Sequence, residues 1–310
     1  MFAALLIVSR AVHFAAAILI AGIFTFDVVA IGLTNPPASE HLLDVERLFL
    51  RLALSSLIAT FLSALLWFWL EVAKMSGLSF AQASSATASV TVLFETRFGH
   101  VWALRFGITV VAFVFATLAV ARNGERRRSI ILVLWLLSVV LLVSLACVSH
   151  AAAAPVQPLG VLGDALHLCA AGGWIGGLVP LAIFLAHTRA SLSPDERIAT
   201  LERFSTFSLC CVGALVASGI CNSLLLVGSI HALFTTTYGR LLLLKLALFA
   251  VLLGFGGRNR LAIKSRRLGA ATGSDSLPQL RRNVVYEICV GAAVIAIVAC
   301  LGVTPPARHP

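Results

Sequence analysis

Two histidines occupy matching positions in a pattern that occurs twice in the chain. His13 lies in the segment RAVHFAAAILIAG, and His167 lies in the segment DALHLCAAGGWIG. In each segment, alanines follow the histidine by three and four residues, and a glycine, Gly22 or Gly176, follows it by nine. Because imidazole is a good ligand for copper, zinc and iron, the repeated histidine indicates a metal site shared by two equivalent segments.

Three further side chains could complete such a site. His150 and Cys147 are three residues apart, and Cys169 follows His167 by two residues. Thiolate ligands shift the preference of a site towards Cu(I) or zinc, so the spacing alone leaves copper, zinc and iron open. The alternative is that the histidines only form hydrogen bonds between helices and stabilise their packing.

Three residues near the histidines could position them. Asp164 precedes His167 by one helical turn and could accept a hydrogen bond from its ring, which would fix the tautomer that binds a metal. Arg10 precedes His13 by one turn and could line the site or reach the lipid headgroups. Trp174 lies two turns beyond His167, where it could form a wall of the site.

Other ionisable residues in the apolar runs need partners, because a charge inside a membrane is costly. Arg105 and Lys245 each follow a Phe-Gly or Tyr-Gly pair by six residues, so we expect an equivalent structural partner for each, either Glu95 or Asp164. We also expect acidic residues at the other end of the helices, Asp27 and Glu287, to pair with arginines of the neighbouring loops; the alternative is a cation exit path.

The composition assigns these residues to a membrane. Of the 310 residues, 60% are apolar and 12% are charged, and the mean hydropathy is +1.01. Soluble domains have about 25% charged residues. We therefore predict an integral membrane protein.

Eight apolar runs approach or exceed the roughly 20 residues that a membrane-spanning helix needs. They cover residues 4–33, 48–73, 101–121, 130–149, 161–186, 204–228, 241–257 and 284–302. The first run lacks a basic segment before it, so we expect it to be retained rather than removed as a signal peptide. The predicted fold class is all-α, a multi-pass bundle of eight transmembrane helices.

The arginines predict the orientation, since cytoplasmic loops retain positive charge. With both termini outside (N-out/C-out), the basic loops near residues 122–128, 189–203 and 258–282 lie inside. The net charge of +10 then reflects this orientation and contact with anionic membrane lipids. We predict no nucleic acid partner.

The repeat divides the chain into two parts that together form one bundle. Residues 1–150 form the first four-helix repeat and residues 151–310 the second. Because four is an even number, both repeats enter the membrane in the same direction. Such parallel repeats are related by an axis along the membrane normal, and a site is expected at their interface.

Three common signatures of enzymes are missing from the apolar runs and loops of the sequence. They are a nucleotide-binding loop, a nucleophile elbow and an HExxH zinc motif. We therefore predict that the protein is not an enzyme.

The segments HLCAAGGWIGGLVPL, YGRLLLLKLALF and LRRNVVYEICVGAAVIAIVACLGVTPP resemble the copper resistance protein D (CopD) family of bacterial inner-membrane proteins. In the first half, RAVHF and RFGHVWALR are similar to the amino-terminal helices of that family. The resemblance spans nearly the whole chain. It implies copper homeostasis, with a copper ion taken up across the membrane from a periplasmic carrier of the CopC type. Since no carrier domain is recognisable in the chain, we expect that carrier to be a separate protein.

Two readings of the histidines follow. In the first, His13 and His167, with support from His150, Cys147 and Cys169, receive copper on the outer side. In the second, the protein is an electron carrier with haem b, whose axial ligands would be histidines on facing helices. The glycines at 172, 173, 176 and 177 would admit either a close neighbouring helix or a flat cofactor such as haem.

Overall fold

The structure, a computed structural model, describes residues 2–32, 40–77, 82–84, 86–122, 124–149, 157–188, 192–267 and 276–307. Every regular element in these ranges is helical, which confirms the predicted all-α class. In chain order the helices are α1 (Phe2–Phe26), α2 (Glu40–Ser76), α3 (Ala86–Glu95), α4 (Arg97–Val120), α5 (Gly124–Ala146), α6 (Gln157–Trp174), α7 (Leu178–His187), α8 (Pro194–Leu226), α9 (Ile230–Thr235), α10 (Thr237–Arg267) and α11 (Ser276–Leu301). A π-helical segment, Asp27–Gly32, continues α1, and a 3-10 turn, Gln82–Ser84, precedes α3.

Eight stretches within the described ranges are long and apolar enough to cross a membrane. They are Phe2–Gly32, Leu43–Ser76, Arg97–Val120, Gly124–Ala146, Pro158–His187, Pro194–Leu226, Thr237–Arg267 and Leu277–Leu301. They correspond one to one to the eight predicted runs. The seventh is longer than the predicted 241–257, because α10 continues as a helix into its polar, arginine-rich end.

Two short helices, α3 and α9, precede the third and seventh spans, and a threonine begins each span. Thr96 Oγ1 accepts the N–H of Gly99 at 2.9 Å, and Thr236 Oγ1 accepts that of Gly239 at 3.0 Å. Such a cap satisfies an N–H that has no partner within the helix. A Cβ on Gly99 or Gly239 would lie 2.0 or 2.3 Å from a backbone oxygen of the preceding short helix, so these tight corners need glycine.

The helices of each half pack in a ring. In the first half, α1 packs on α2, α2 on α4, α4 on α5, and α5 on α1. In the second half, α6 packs on α8, α8 on α10, α10 on α11, and α11 on α7. The two rings are joined by α1 with α6, α5 with α6, and α11 with α1. This order of contacts is the same in both halves, and the parallel twofold relation between them stays a prediction.

The halves cross at the glycine of each repeated segment. A Cβ on Gly22 would lie 2.0 Å from the carbonyl carbon of Gly176, and one on Gly176 would lie 2.1 Å from the oxygen of Ile18. The fifth span is interrupted at this crossing, where Gly176 N bonds to Ala171 O at 3.2 Å, five residues back instead of four. A neighbouring helix, rather than a flat cofactor, therefore lies against this glycine.

An aromatic cluster lies one turn beyond the crossing. The ring of Phe26 contacts those of Phe49, Phe184 and Phe204, with centroids 5.9, 5.8 and 5.2 Å away. Because these four side chains come from α1, α2, α7 and α8, they join the two halves. They also fill the centre of the bundle on the side of the crossing away from the two histidines.

Candidate metal centre

His13 is fully buried among three helices of the first half. Its exposed fraction is 0%. Its Nδ1 lies 3.2 Å from the backbone oxygen of Thr60 and 3.1 Å from Ser63 Oγ, both on α2. On the opposite side of the ring, Nε2 accepts a hydrogen bond from the guanidinium group of Arg105 on α4.

These partners define the tautomer of His13. A guanidinium group only donates hydrogen bonds, so Nε2 is the acceptor and Nδ1 carries the ring proton. Ser63 agrees with this assignment, because its hydroxyl donates to Ala59 O at 2.6 Å and can therefore accept from Nδ1. The ring is neutral, and its one lone pair, on Nε2, points at Arg105.

Arg105 is held as firmly as the histidine. Its exposed fraction is 1%, and its Nη1 donates to Leu141 O at 2.6 Å and to Ser144 Oγ at 2.5 Å, both on α5. The rings of Trp67 and Trp102 each lie 5.5 Å from the His13 ring. The first-half histidine is therefore enclosed by aromatic rings and by a cation with several hydrogen bonds.

His167 has the same kinds of partner in the second half. Its Nδ1 lies 3.0 Å from Ser218 Oγ on α8, and Lys245 Nζ on α10 lies 3.3 Å from its Nε2. Ser218 donates to Ala214 O at 2.6 Å and therefore accepts from the ring. The ring is again neutral, with its lone pair on Nε2. In contrast to His13 and Arg105, both His167 and Lys245 are only half-buried.

The sequence indicated the histidines but not the serines that bind them. Ser63 follows His13 by 50 residues, and Ser218 follows His167 by 51. This near-equal spacing was a usable signal, since the sequence also repeats a Glu-Arg pair, Glu46-Arg47 and Glu202-Arg203, in the first turns of the second helix of each half. Each site therefore combines one residue from each of the first three spans of its half.

The expected partner was wrong for one of the two cations. Arg105 bonds to His13 rather than to Glu95, which is exposed on α3. Lys245 does interact electrostatically with Asp164. The expected bond from Asp164 to the ring of His167 is not formed, because Ser218 and Lys245 take its nitrogens; Asn222 Nδ2 lies 3.4 Å from Asp164 Oδ1 instead.

Arg10 and Trp174 lie in different surroundings. The guanidinium carbon of Arg10 is 4.4 Å from the centre of the Trp67 ring, so Arg10 packs on the outside of the ring that contacts His13. Trp174 packs against Phe249, with centroids 6.1 Å apart, and lines a cleft described below. In this structure Trp174 therefore belongs to that cleft more than to the histidine.

Two of the other proposed ligands, Cys147 and Cys169, lie within the described residues. Cys147 and Cys169 are half-buried free thiols, and Cys169 packs beside the aromatic rings around His13. His150 lies outside the described residues. Among the residues that are described, no three His, Cys, Asp or Glu side chains come together in a group that could hold a metal ion.

The arrangement limits the chemistry of both histidines. A metal ion or a haem iron can bind only at Nε2, and that lone pair already accepts from Arg105 or Lys245. A ligand at His13 would have to displace a buried guanidinium group. A ligand at His167 would displace a flexible ammonium group that has Asp164 within electrostatic range.

The acidic residues at the opposite end of the bundle differ between the halves. Asp27 interacts electrostatically with Arg127 and Glu46, and Arg127 Nη2 lies 3.3 Å from Glu46 Oε2. Asp27 itself forms no ion pair among the described residues, so its expected pairing with an arginine stays a prediction. The expected pairing of Glu287 with an arginine was wrong, because its partner is Asn259, which donates to Oε1.

Comparisons with known proteins address the family. A model described as "Copper resistance protein D-like, N-terminal domain" matches residues 1–161, and one described as "Copper resistance protein D" matches residues 198–301. No solved structure matches the chain significantly.

Three curated relatives match along much of the chain. Copper transport protein CutJ of Bacillus subtilis (strain 168) is 29% identical over 279 residues, which are 88% of this chain and 48% of that protein. The chain thus spans about half the length of that relative. Copper resistance protein D of Pseudomonas syringae pv. tomato is 29% identical over 220 residues, 68% of this chain and 70% of that protein. Inner membrane protein YebZ of Escherichia coli (strain K12) is 27% identical over 216 residues, 69% of this chain and 71% of that protein.

These matches agree with the eight apolar spans. The protein is a multi-pass protein of the bacterial inner membrane, and its relatives act in copper resistance and transport. Because one family model covers more than half of the chain and the other covers most of its second half, the chain belongs to the copper resistance protein D family.

Proposed function

We propose that the protein moves copper across the inner membrane, and that His13 and His167 are the residues that receive the ion. The observation that carries this proposal is the recurrence of one arrangement in both halves. A neutral histidine accepts from a cation at Nε2 and faces a serine at Nδ1. The fixed tautomer presents Nε2, the nitrogen that a copper ion would bind.

Copper enters at His167 in this proposal, because its competing cation is the easier one to move. Lys245 has a flexible stem and a single 3.3 Å contact with the ring, and the carboxylate of Asp164 can attract it once it leaves. Arg105 has two further hydrogen bonds to α5. Lysine and arginine differ in this way generally, as a point charge differs from a rigid fork of donors.

The direction of movement in this proposal is uptake, from a periplasmic carrier of the CopC type to the cytoplasm. The basic loops support it, since they favour an orientation with the histidines near the periplasmic side. Each short outer helix exposes two apolar side chains at the same spacing, Val90 and Phe94 on α3, Ile230 and Phe234 on α9. We expect the carrier to dock there.

Copper retention and copper uptake test the role of the histidines. The protein is purified in detergent, exposed to copper, washed and analysed for metals, and copper accumulation is measured in proteoliposomes. The double variant His13→Ala/His167→Ala should lose both. The matched control His100→Ala/His231→Ala changes two exposed histidines and should lose neither. Normal uptake by the first variant would remove the proposal, and iron with a haem spectrum would establish the electron-carrier alternative.

The competition at His167 gives a second test. The variant Lys245→Leu removes the charge and adds no atom that can bind copper, so copper no longer competes with an ammonium group for Nε2. We expect tighter copper binding in an equilibrium titration. The control Arg240→Leu removes an exposed cation of the same helix and should bind copper as the wild type does. Equal or weaker binding by Lys245→Leu would show that Lys245 does not compete.

Docking of the carrier is tested with a purified CopC-type protein and the membrane protein in lipid nanodiscs. Phe94→Ser/Phe234→Ser should weaken their association. Leu261→Ser, a control at an exposed apolar residue near the other end of α10, should leave it unchanged. Equal association of all three proteins would place the docking surface elsewhere.

A further inference from the structure

A cleft opens in the second half, at the end of the bundle away from His167. It has a volume of about 170 Å³ and lies among α7, α8, α10 and α11. Asn259, which lines it, follows Lys245 by fourteen residues on α10, a distance of about 21 Å at 1.5 Å per residue of helix. The cleft is therefore separate from the histidine site.

A buried carboxylate forms part of the wall of this cleft. Glu287 has an exposed fraction of 1% and belongs to the membrane-spanning stretch Leu277–Leu301. Asn259 donates to its Oε1, and Asn283 Nδ2 in turn donates to Asn259 Oδ1 at 3.0 Å. The two amides thus form a chain of hydrogen bonds that ends on the carboxylate.

The second oxygen of Glu287 is directed differently. Oε2 lies 3.9 Å from the position that a Cβ on Gly256 would occupy, and Gly256 is itself part of the cleft wall. Ser208, on the wall contributed by α8, has a buried hydroxyl with no hydrogen-bond partner among the described residues. Because buried polar groups are nearly always paired, this hydroxyl independently indicates a polar occupant of the cleft.

The cleft supplies no cation to Glu287. Arg260 is the other ionisable residue of its described lining, and its Nη1 donates to the backbone oxygen and Oγ of Ser205 at 3.2 and 3.1 Å. The parts of the wall from α7, Leu178 and Leu181, are apolar. Among the described residues, none lies within ion-pair distance of Glu287.

The chemistry of the lining selects the cation that Glu287 can take. Calcium needs six to eight oxygen ligands and magnesium a near-ideal octahedron, whereas the lining offers one carboxylate, an amide and hydroxyl groups. Copper favours nitrogen and sulfur ligands, and the described lining contains no histidine, cysteine or methionine. A proton needs only one free carboxylate oxygen.

We infer that Glu287 is a proton-binding site, in which a proton from the aqueous side adds to Oε2 while Asn259 holds Oε1. This site goes beyond the proposed copper function and does not depend on it. Binding of the proton converts the carboxylate to a neutral carboxyl group, which removes the unpaired charge from the membrane interior. Since Arg260 and Gly257, on the wall from α10, are exposed, the proton can enter beside them.

Infrared difference spectroscopy of the protein in lipid nanodiscs tests this site without copper. Spectra recorded at acid and at neutral to alkaline pH should show the carbonyl stretch of a protonated carboxyl group that appears as the pH falls. Glu287→Gln should lose this band. Glu125→Gln, a control at an exposed carboxylate, should keep it. A band that persists unchanged in Glu287→Gln, or no titrating band in the wild type, would overturn the inference.

Two further measurements keep the result interpretable. If Glu287→Gln fails to fold, Glu287→Asp should retain the band at a shifted frequency, and an unshifted band would assign it to another carboxyl group. The same titration in sodium-free and sodium-rich buffers distinguishes the proton from another hard monovalent cation; a band that depends on sodium would overturn the proton assignment. Loss of copper binding in the histidine variant with an intact Glu287 band would show that the two sites are separate.

Discussion

The two halves of the bundle use the same helix order to hold their buried ionisable groups in different ways. In the first half, Arg105 is fixed by hydrogen bonds to α5 and encloses His13 completely. In the second half, Lys245 makes one longer contact with a half-buried His167. The first arrangement favours rigidity, and the second favours exchange of one partner for another.

The opposite end of the bundle shows the same contrast. Glu46 has a cation, Arg127, within 3.3 Å. Glu287 has a neutral amide and a cleft of about 170 Å³. A buried charge can be tolerated by pairing it with an opposite charge or by allowing it to bind a cation that comes and goes. The first half thus gives its buried ionisable groups fixed, charged partners, and the second half gives them flexible or neutral ones.

The largest expected effect tests the charge pairing in the first half. Arg127→Ala leaves Glu46 and Asp27 without their cation and should lower the free energy of unfolding by about 3–5 kcal/mol. Asn259→Ala, in the second half, removes a neutral donor to the buried carboxylate of Glu287 and should cost about 2 kcal/mol. Denaturant unfolding in one detergent measures both, with exposed Arg126→Ala as the control. Equal losses for Arg127→Ala and Asn259→Ala would contradict the contrast between the halves.

Alanine at either of the two glycines where the halves cross should destabilise the protein by a similar amount. Gly22→Ala and Gly176→Ala place a Cβ about 2 Å from backbone atoms of the other half, so each should destabilise the protein by about 3 kcal/mol, the upper end of the usual cost of overpacking. Gly107→Ala and Gly213→Ala, where a Cβ meets nothing within 4 Å, should have no destabilising effect. Tolerance of alanine at only one of the crossing glycines would show that the contact is not equivalent in the two halves.

The histidines should differ in their contribution to stability. His13→Ala leaves the buried Arg105 with one partner fewer and should cost about 2–3 kcal/mol, whereas His167→Ala should cost about 1 kcal/mol because Lys245 can turn towards Asp164. Thermal unfolding of the two variants without copper measures the difference. A larger loss for His167→Ala would reverse the assignment of the rigid site to the first half.

The smallest expected effect concerns the helix caps, where the halves are alike. Thr96→Ala and Thr236→Ala each remove a hydroxyl that accepts a helix N–H and donates to a backbone oxygen of the preceding short helix. Each should lower stability by about 1 kcal/mol. Hydrogen exchange at the starts of α4 and α10 should increase locally by similar amounts. A loss of stability in only one of the two variants would show that the halves also differ at the starts of α4 and α10.

The sequence predicts the spans and the histidines because these depend on local composition and on a repeated pattern. It does not predict which side of each helix packs inward, since core and lipid are both apolar and the sequence of a spanning helix shows little contrast between them. Ser63 and Ser218 were missed for this reason, although their spacing from the histidines was visible. The bond between Asn259 and Glu287 joins residues 28 apart, and only the packing of α10 on α11 brings them together.

The contact between Gly22 and Gly176 also affects how the halves can move. Helices that meet through interlocking side chains resist both separation and rotation. Here backbone meets backbone, so the contact sets the distance between α1 and the fifth span but contains no side-chain ridge to oppose turning. It can act as a pivot, and the range of any rocking between the halves is then set by the flanking pairs, α5 with α6 and α11 with α1, and by the rings around Phe26.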